Sequence, residues 1–335
     1  MNFLKKIADI LHHTTSCELP AESKQSGAPT HDVSGDGVPS SLRYEVSDDH
    51  IVITGCSAKE ISVVIPAEIE GLPVTIINST SFAQHKLIKK IVIPDSVTLI
   101  GNHAFLESGL TSVKMSRSVT FIASGAFKKC TELIDITFPD ALQKIGLDAF
   151  CGCKSLARVV LPASLKELDE SIFSHCTALT SVTFRSGVEV IPNFTFFCDS
   201  ALTEVILPDT LKEIRMSAFN KCTALEKITL PDSLKTIGIN AFSECISLKE
   251  ITIPASVTLI KEYAFSDCSS LESVIIENPE CEIDDSRGTI SNGTETVNDK
   301  RRFCFSGTIY GAAGSTAEAV SYTHLRAHET PEHLV

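Results

Sequence analysis

No stretch of the chain approaches the ~20 consecutive apolar residues that a membrane-spanning helix needs. Basic residues are outnumbered, 29 Lys and Arg against 42 Asp and Glu, for a formal charge of −13. A nucleic-acid binder would present a basic stripe, so that class is set aside. Gly-x-Gly-x-x-Gly, phosphate-loop, His-Glu-x-x-His and Gly-x-Ser-x-Gly patterns are all missing, and with them the usual local signatures of nucleotide, zinc-protease and hydrolase chemistry. Of paired short cysteine spacings only Cys151-x-Cys153 comes close, and one pair does not make four zinc ligands. No catalytic, cofactor-binding or metal-ligating residue is therefore assigned. At 43% hydrophobic and 21% charged, the chain still has the composition of a folded soluble protein.

What the chain does contain is a repeat. Phe82, Phe105, Phe127, Phe150, Phe173, Phe196, Phe219, Phe242 and Phe265 follow one another at steps of 23, 22 and then 23 residues. A fixed period in this range marks stacked coils, each of which buries its apolar side only against its neighbours. Within the Phe127 unit, Leu133, Ile136 and Phe138 are followed by Pro139, Leu142, Ile145 and Ala149. Ile136 and Phe138 alternate with Thr137, which predicts a very short strand with Thr137 facing outward. The recurrent proline (Pro94, Pro139, Pro162, Pro208, Pro231, Pro254) has no amide hydrogen and ends the pairing. The second apolar pair, Leu142 with Ile145, returns along another side of the coil. The Asp-Ala-Phe or Asn-Ala-Phe step then makes a compact corner, as a turn or a single helical turn. About nine such coils at the spacing of paired strands predict a rod roughly 40–45 Å long.

The spacing Leu133-x-x-Ile136-x-Phe138, with the proline, the Ile-Gly, the Ala-Phe and the Phe-x-x-Cys-x-x-Leu, closely resembles the bacterial BspA-like, Treponema-type leucine-rich repeats over roughly residues 42–320. The resemblance implies a curved leucine-rich-repeat solenoid, a horseshoe or rod of short parallel strands. It also implies a cell-surface or secreted location and a protein-binding or adhesive role.

The rung cysteines Cys130, Cys153, Cys176, Cys222, Cys245 and Cys268 each stand three residues after a repeat phenylalanine. One position per coil reads as a ladder of buried, reduced thiols; bridges between adjacent rungs are the alternative allowed by distance. The Phe105 unit is one residue short, with Ser116 where proline usually stands, and the Phe196 unit carries Asp199 at the rung because Cys198 arrives one place early. His85, His103 and His175 fall near the corners and read as surface or corner residues.

The organisation along the chain follows. Residues 1–41 hold a short amphipathic helix (Phe3, Leu4, Ile7, Leu11) and a Pro/Gly/Ser linker. Asp9, His12 and His13 interrupt any secretion-signal core, so a cytoplasmic location stands as the alternative. A hairpin opens an N-terminal cap at 42–80, the repeats occupy 81–276, an irregular polar loop is expected at 277–303, and a partial last repeat at 304–320. Residues 321–335 carry His324, His328 and His333 without repeat logic; they resemble translated sequencing-adapter read-through and are not taken as a metal site.

What remains is surface. Outward on the strand row lie Thr137, Val160, Thr183, Ile206, Thr229, Thr252 and Ile275, edged by Arg158, Glu204, Lys227 and Glu250. β-Branched residues also simply suit strands. The functional expectation is a binding face for a protein or glycan on a monomeric, non-enzymatic module. The recognition arm of a larger enzyme or signalling protein, truncated here, and a structural spacer are the alternatives.

Overall fold

The computed structural model describes residues 41–185, 187–284, 288–297 and 300–311. The expected helix at 1–16, nearly all of the linker, the closing segment beyond Gly311 and the tail at 321–335 lie outside the described residues. Two rows of short parallel strands run the length of a β-solenoid. The first row pairs Ser62–Val64, Lys90–Val92, Ser112–Lys114, Asp135–Ile136, Arg158–Leu161, Ser181–Phe184 and Glu204–Ile206 in coil order. It resumes at Glu250–Ile253, which pairs with Ser273–Ile276. The second row takes the other apolar pair of each coil, as in Lys144–Ile145 beside Glu167–Leu168.

Pairing is in register at the sequence period: Arg158, Val159, Val160 and Leu161 face Ser181, Val182, Thr183 and Phe184. The recurrent proline opens a turn in which its carbonyl accepts the amide three residues on, as Leu142 to Pro139 and Leu234 to Pro231. At the N-terminal end, Leu42–Val46 pairs antiparallel with Ile51–Cys56, which joins Leu72–Ile77 in the second row. An antiparallel strand laid there pairs the edge of the row that would otherwise stand open.

Between the rows the interior is dry. All nine repeat phenylalanines are buried and stack face to face, with centroids from 4.9 Å (Phe105–Phe127) to 5.8 Å (Phe173–Phe196). Leu133, Leu156, Leu179, Leu202, Leu225, Leu248 and Leu271 form a parallel buried column. A buried side chain of this size contributes about 1.5–3 kcal/mol, so the coils cohere through stacked columns that no single coil could bury.

The corners are turns, and among the described residues no helix occurs. Backbone conformation supplies the reason. Residues two before and two after each repeat phenylalanine have positive φ, such as Asp148 (56°) and Gly152 (75°) around Phe150, or Ser171 (58°) and His175 (63°) around Phe173. Left-handed residues on either side of the phenylalanine cannot continue a right-handed helix. They turn alternate amides along the stack instead: Asp148, Phe150 and Gly152 donate to Glu170, Ile172 and Ser174 of the next coil. These bonds offset the roughly 1–2 kcal/mol that a left-handed conformation costs each non-glycine residue.

The irregular units are accommodated locally. The deletion in the Phe105 unit falls at Gly109, where a Cβ would lie 2.0 Å from the Lys86 carbonyl oxygen. Ser116 is buried, and its hydroxyl donates to Val97 O and accepts from Ser118 N. The stretch expected as an irregular loop, 277–303, is largely a further coil. Glu282–Ile283 pairs with Leu259–Ile260 at the usual offset. Buried Ile290 then bridges to Phe265 and takes the place of the next phenylalanine. The extra residues form an antiparallel hairpin, Gly293–Val297 with Lys300–Cys304, before Thr308–Tyr310 rejoins the first row beside Ser273–Ile276. An apolar Ile at the right distance can cap a column that the sequence marks only by phenylalanine.

Candidate functional site

The first row presents one side chain per coil outward. Because the strands pair in register, Val160, Thr183 and Ile206 line up across three coils. Thr252 and Ile275 line up across two more. Val160, Ile206 and Ile275 are 43%, 49% and 39% exposed, whereas their inward neighbours Val159 and Val274 are buried. β-Branched side chains here satisfy the pleat and also leave methyl groups in water, so the face carries apolar surface that the core does not use.

Two members of the expected row depart from regular pairing. Thr137 lies one residue beyond Asp135–Ile136, and Thr229 belongs to a coil that forms no first-row strand. Each of these departures opens a shallow cleft. One, of about 440 Å³, is lined by Lys114, Met115, Arg117, Asp135, Thr137 and Phe138. The other, of about 260 Å³, is lined by Lys227, Thr229, Asp232, Glu250, Thr252 and Glu277.

The charged edge is partly self-paired. Lys227 Nζ lies 3.5 Å from Glu250 Oε1, and the Ser181 hydroxyl donates to Glu204 Oε2 at 3.0 Å. Arg158 forms no ion pair among the described residues. Exposed pairs of this kind contribute about 0–1 kcal/mol, so these charges remain free to exchange partners.

The row is longer than the sequence suggested. Tyr310, 53% exposed, stands beside Ile275, and Val64 extends the other end beside Val92. Tyr310 escaped notice because the inserted hairpin places it 35 residues after Ile275, and Val64 because its coil has no repeat phenylalanine. Alternation within Thr308-Ile309-Tyr310 was the available signal.

Elsewhere the polar groups are structural. The rung cysteines are buried free thiols whose S–H groups donate to the phenylalanine carbonyl of the preceding coil, as Cys153 to Phe127 O and Cys245 to Phe219 O. Burial pushes Cys130 up to about 11 and Cys268 to about 12. His85 braces a corner, with Nε2 2.8 Å from Ser57 O and Nδ1 accepting from Ile88 N. His103 is held below the usual histidine range by burial and then by Lys128. Among the described residues, no group of three or more His, Cys, Asp or Glu could hold a metal ion, and no helix is long and apolar enough to cross a membrane.

Two rows of parallel strands joined by turns, with one apolar column per repeat position, define a leucine-rich-repeat solenoid. The chain belongs to the BspA type leucine rich repeat region family, whose model matches in six copies over residues 75–200 and 190–287. A leucine-rich repeat protein from Bacteroides ovatus is similar at 29% identity, over 74% of this chain and 67% of that one, with a TM-score of 0.65. A leucine rich cell surface protein from Faecalibacterium prausnitzii is similar at 26% identity over 77% of each chain, with a TM-score of 0.51. The Treponema pallidum leucine rich repeat protein shares 30% identity over 62% of this chain and 87% of its own, with a TM-score of 0.46. No curated protein matches the chain.

Proposed function

We propose that the protein is a non-enzymatic binding module that holds a protein or glycan partner along the outward first-row face, in an adhesive role at a bacterial cell surface. The observation that carries this reading is the in-register alignment of exposed Val160 and Ile206 with half-buried Thr183 between them, beside Arg158 and Glu204. Repeated side chains at strand spacing suit an extended partner, and solenoid faces commonly serve this way. The family supports binding in general, and the similarity to a cell surface protein from Faecalibacterium prausnitzii supports the location. Thr137, Thr229, Thr252 and Ile275, with Lys227 and Glu250, extend the face through its two clefts.

The test is joint alanine substitution at Thr183, Ile206 and Thr229, followed by capture of surface protein and glycan fractions on the immobilised protein. Surface substitutions of this kind change stability by about 0.5 kcal/mol or less each, so the melting temperature should hold while capture falls. Unchanged capture would favour a spacer. Retained capture by the native chain together with catalysis by a longer gene product would favour the recognition arm of a larger protein.

A further inference from the structure

Among the described residues, the second row is interrupted once, between Glu167–Leu168 and Val190–Ile191. Each strand normally sends three amides to the preceding coil: Lys166 and Glu167 donate to Gln143 O, and Asp169 donates to Ile145 O. Two coils later, Lys212 and Glu213 donate to Glu189 O and Arg215 to Ile191 O. Between these, the expected bonds from Glu189 and Val190 to Lys166 O are missing, and Glu167–Leu168 does not pair with Val190–Ile191.

The sequence supplies the cause. Pro192 stands at the step where Gly101, Gly146 and Gly238 each donate an amide to the coil before. Proline has no such amide, so Leu168 O loses its donor. Arg185 also stands where the recurrent proline of the other coils would be. The coils stay joined elsewhere, through Arg158–Leu161 with Ser181–Phe184 and through the Ser171 and Phe173 amides at the corner. A wedge opens on one side only.

That wedge is a slot of about 900 Å³, within the usual range of ligand clefts. One wall offers the carbonyls of Lys166 and Leu168, and the other offers the amides of Glu189 and Val190. Backbone groups denied their partners inside a sheet form an edge ready for another strand. Leu168 is partly exposed there, while Ile145 and Ile191 in the same column are fully buried. Four carboxylates line the slot, on Glu167, Asp169, Glu170 and Glu189, against Lys166 and Arg215. Lys144 pairs with Glu167 and Asp169, and Lys212 with Glu189, so an incoming cation would share these acids on the exposed rim.

We propose that the slot takes one extended peptide segment of a partner protein as an additional parallel rung between Glu167–Leu168 and Val190–Ile191. An apolar residue of the peptide would cover Leu168, and basic residues would face outward among the carboxylates. This site is separate from the first-row face, and substitutions on that face leave it unchanged.

The probe is a fluorescent, end-capped peptide of about eight alternating lysines and valines, a typical strand length. It is compared with a glutamate-for-lysine version and with one N-methylated at the valines. Anisotropy should show the first peptide binding about tenfold or more tightly than either control, since each lost backbone bond weakens pairing several-fold. Hydrogen exchange should show Glu189 and Val190 amides exchanging rapidly in the free protein and protected by the peptide. Pro192→Gly restores the missing donor, so it should protect those amides without peptide and weaken binding about tenfold or more, with no loss of melting temperature. Ile206→Ala should bind the peptide normally. Equal binding of the N-methylated peptide, no binding of any peptide, or protection at other amides would overturn the proposal. Self-association abolished by Pro192→Gly, without peptide binding, would assign the slot to a second copy and overturn it too.

Discussion

Asp199 interrupts the thiol ladder, and its proton should govern a measurable part of the stability. At the neighbouring rungs Cys176 and Cys222 donate S–H to Phe150 O and Phe196 O. Asp199 is fully buried, its Oδ1 accepts from Cys176 N at 2.8 Å, and its Oδ2 has no hydrogen-bond partner. An ionised carboxylate there faces thiols and no cation. Burial accordingly drives its pKa well above the ordinary carboxylate value, and the Cys176 amide bond opposes this only in part. The folded state therefore keeps a proton that the unfolded state has released. The resulting contribution is most favourable below the unfolded pKa of about 3.9 and is lost as pH rises towards the raised folded value. One proton taken up on folding gives a slope of about 1.4 kcal/mol per pH unit across that window. Asp199→Asn keeps the acceptor for Cys176, places a donor where Oδ2 lies and removes the titration. Urea denaturation of both proteins, under reducing conditions from pH 4 to pH 7, should give similar stabilities at the acid end. From there the gap should widen in favour of the variant, with a slope approaching about 1.4 kcal/mol per unit until the pH reaches the raised folded value. Asp199→Cys, which restores the ladder, should behave likewise. Parallel pH profiles for the native chain and Asp199→Asn would refute the reasoning.

Further expectations test the columns, the corners and the thiols. Phe219→Ala removes a ring stacked at 5.2 Å on both Phe196 and Phe242 and should cost about 3–5 kcal/mol in denaturant unfolding. Thr80 is β-branched and exposed at φ 57°. Thr80→Gly should relieve about 1–2 kcal/mol of backbone cost against about 0.5–1 kcal/mol of added chain entropy, raising the melting temperature slightly. Cys153, Cys176, Cys222 and Cys245, held well above the usual thiol range by burial, should resist a disulfide reagent at pH 8 until the coils unfold. Prompt labelling of the native protein would show that the ladder opens.

The period, the phenylalanine column, the thiol rungs and the outward row from Val160 to Ile206 were legible in the sequence because each is one residue type repeated at a fixed offset. A short coil can bury its apolar side only if its neighbours repeat it, so stacking follows directly from the spacing. Relations between coils were not legible. Whether Asp148 turns left-handed depends on the carbonyl of Glu170 awaiting its amide, and no local propensity reports that. Ile290 joins the aromatic column through its distance from Phe265, not through its type. Pro192 reads as an ordinary turn residue until Leu168 O is seen without a donor. Hydrogen bonds linking residues about one coil apart decided these features, because a missing or substituted rung has meaning only beside the coil it should have met.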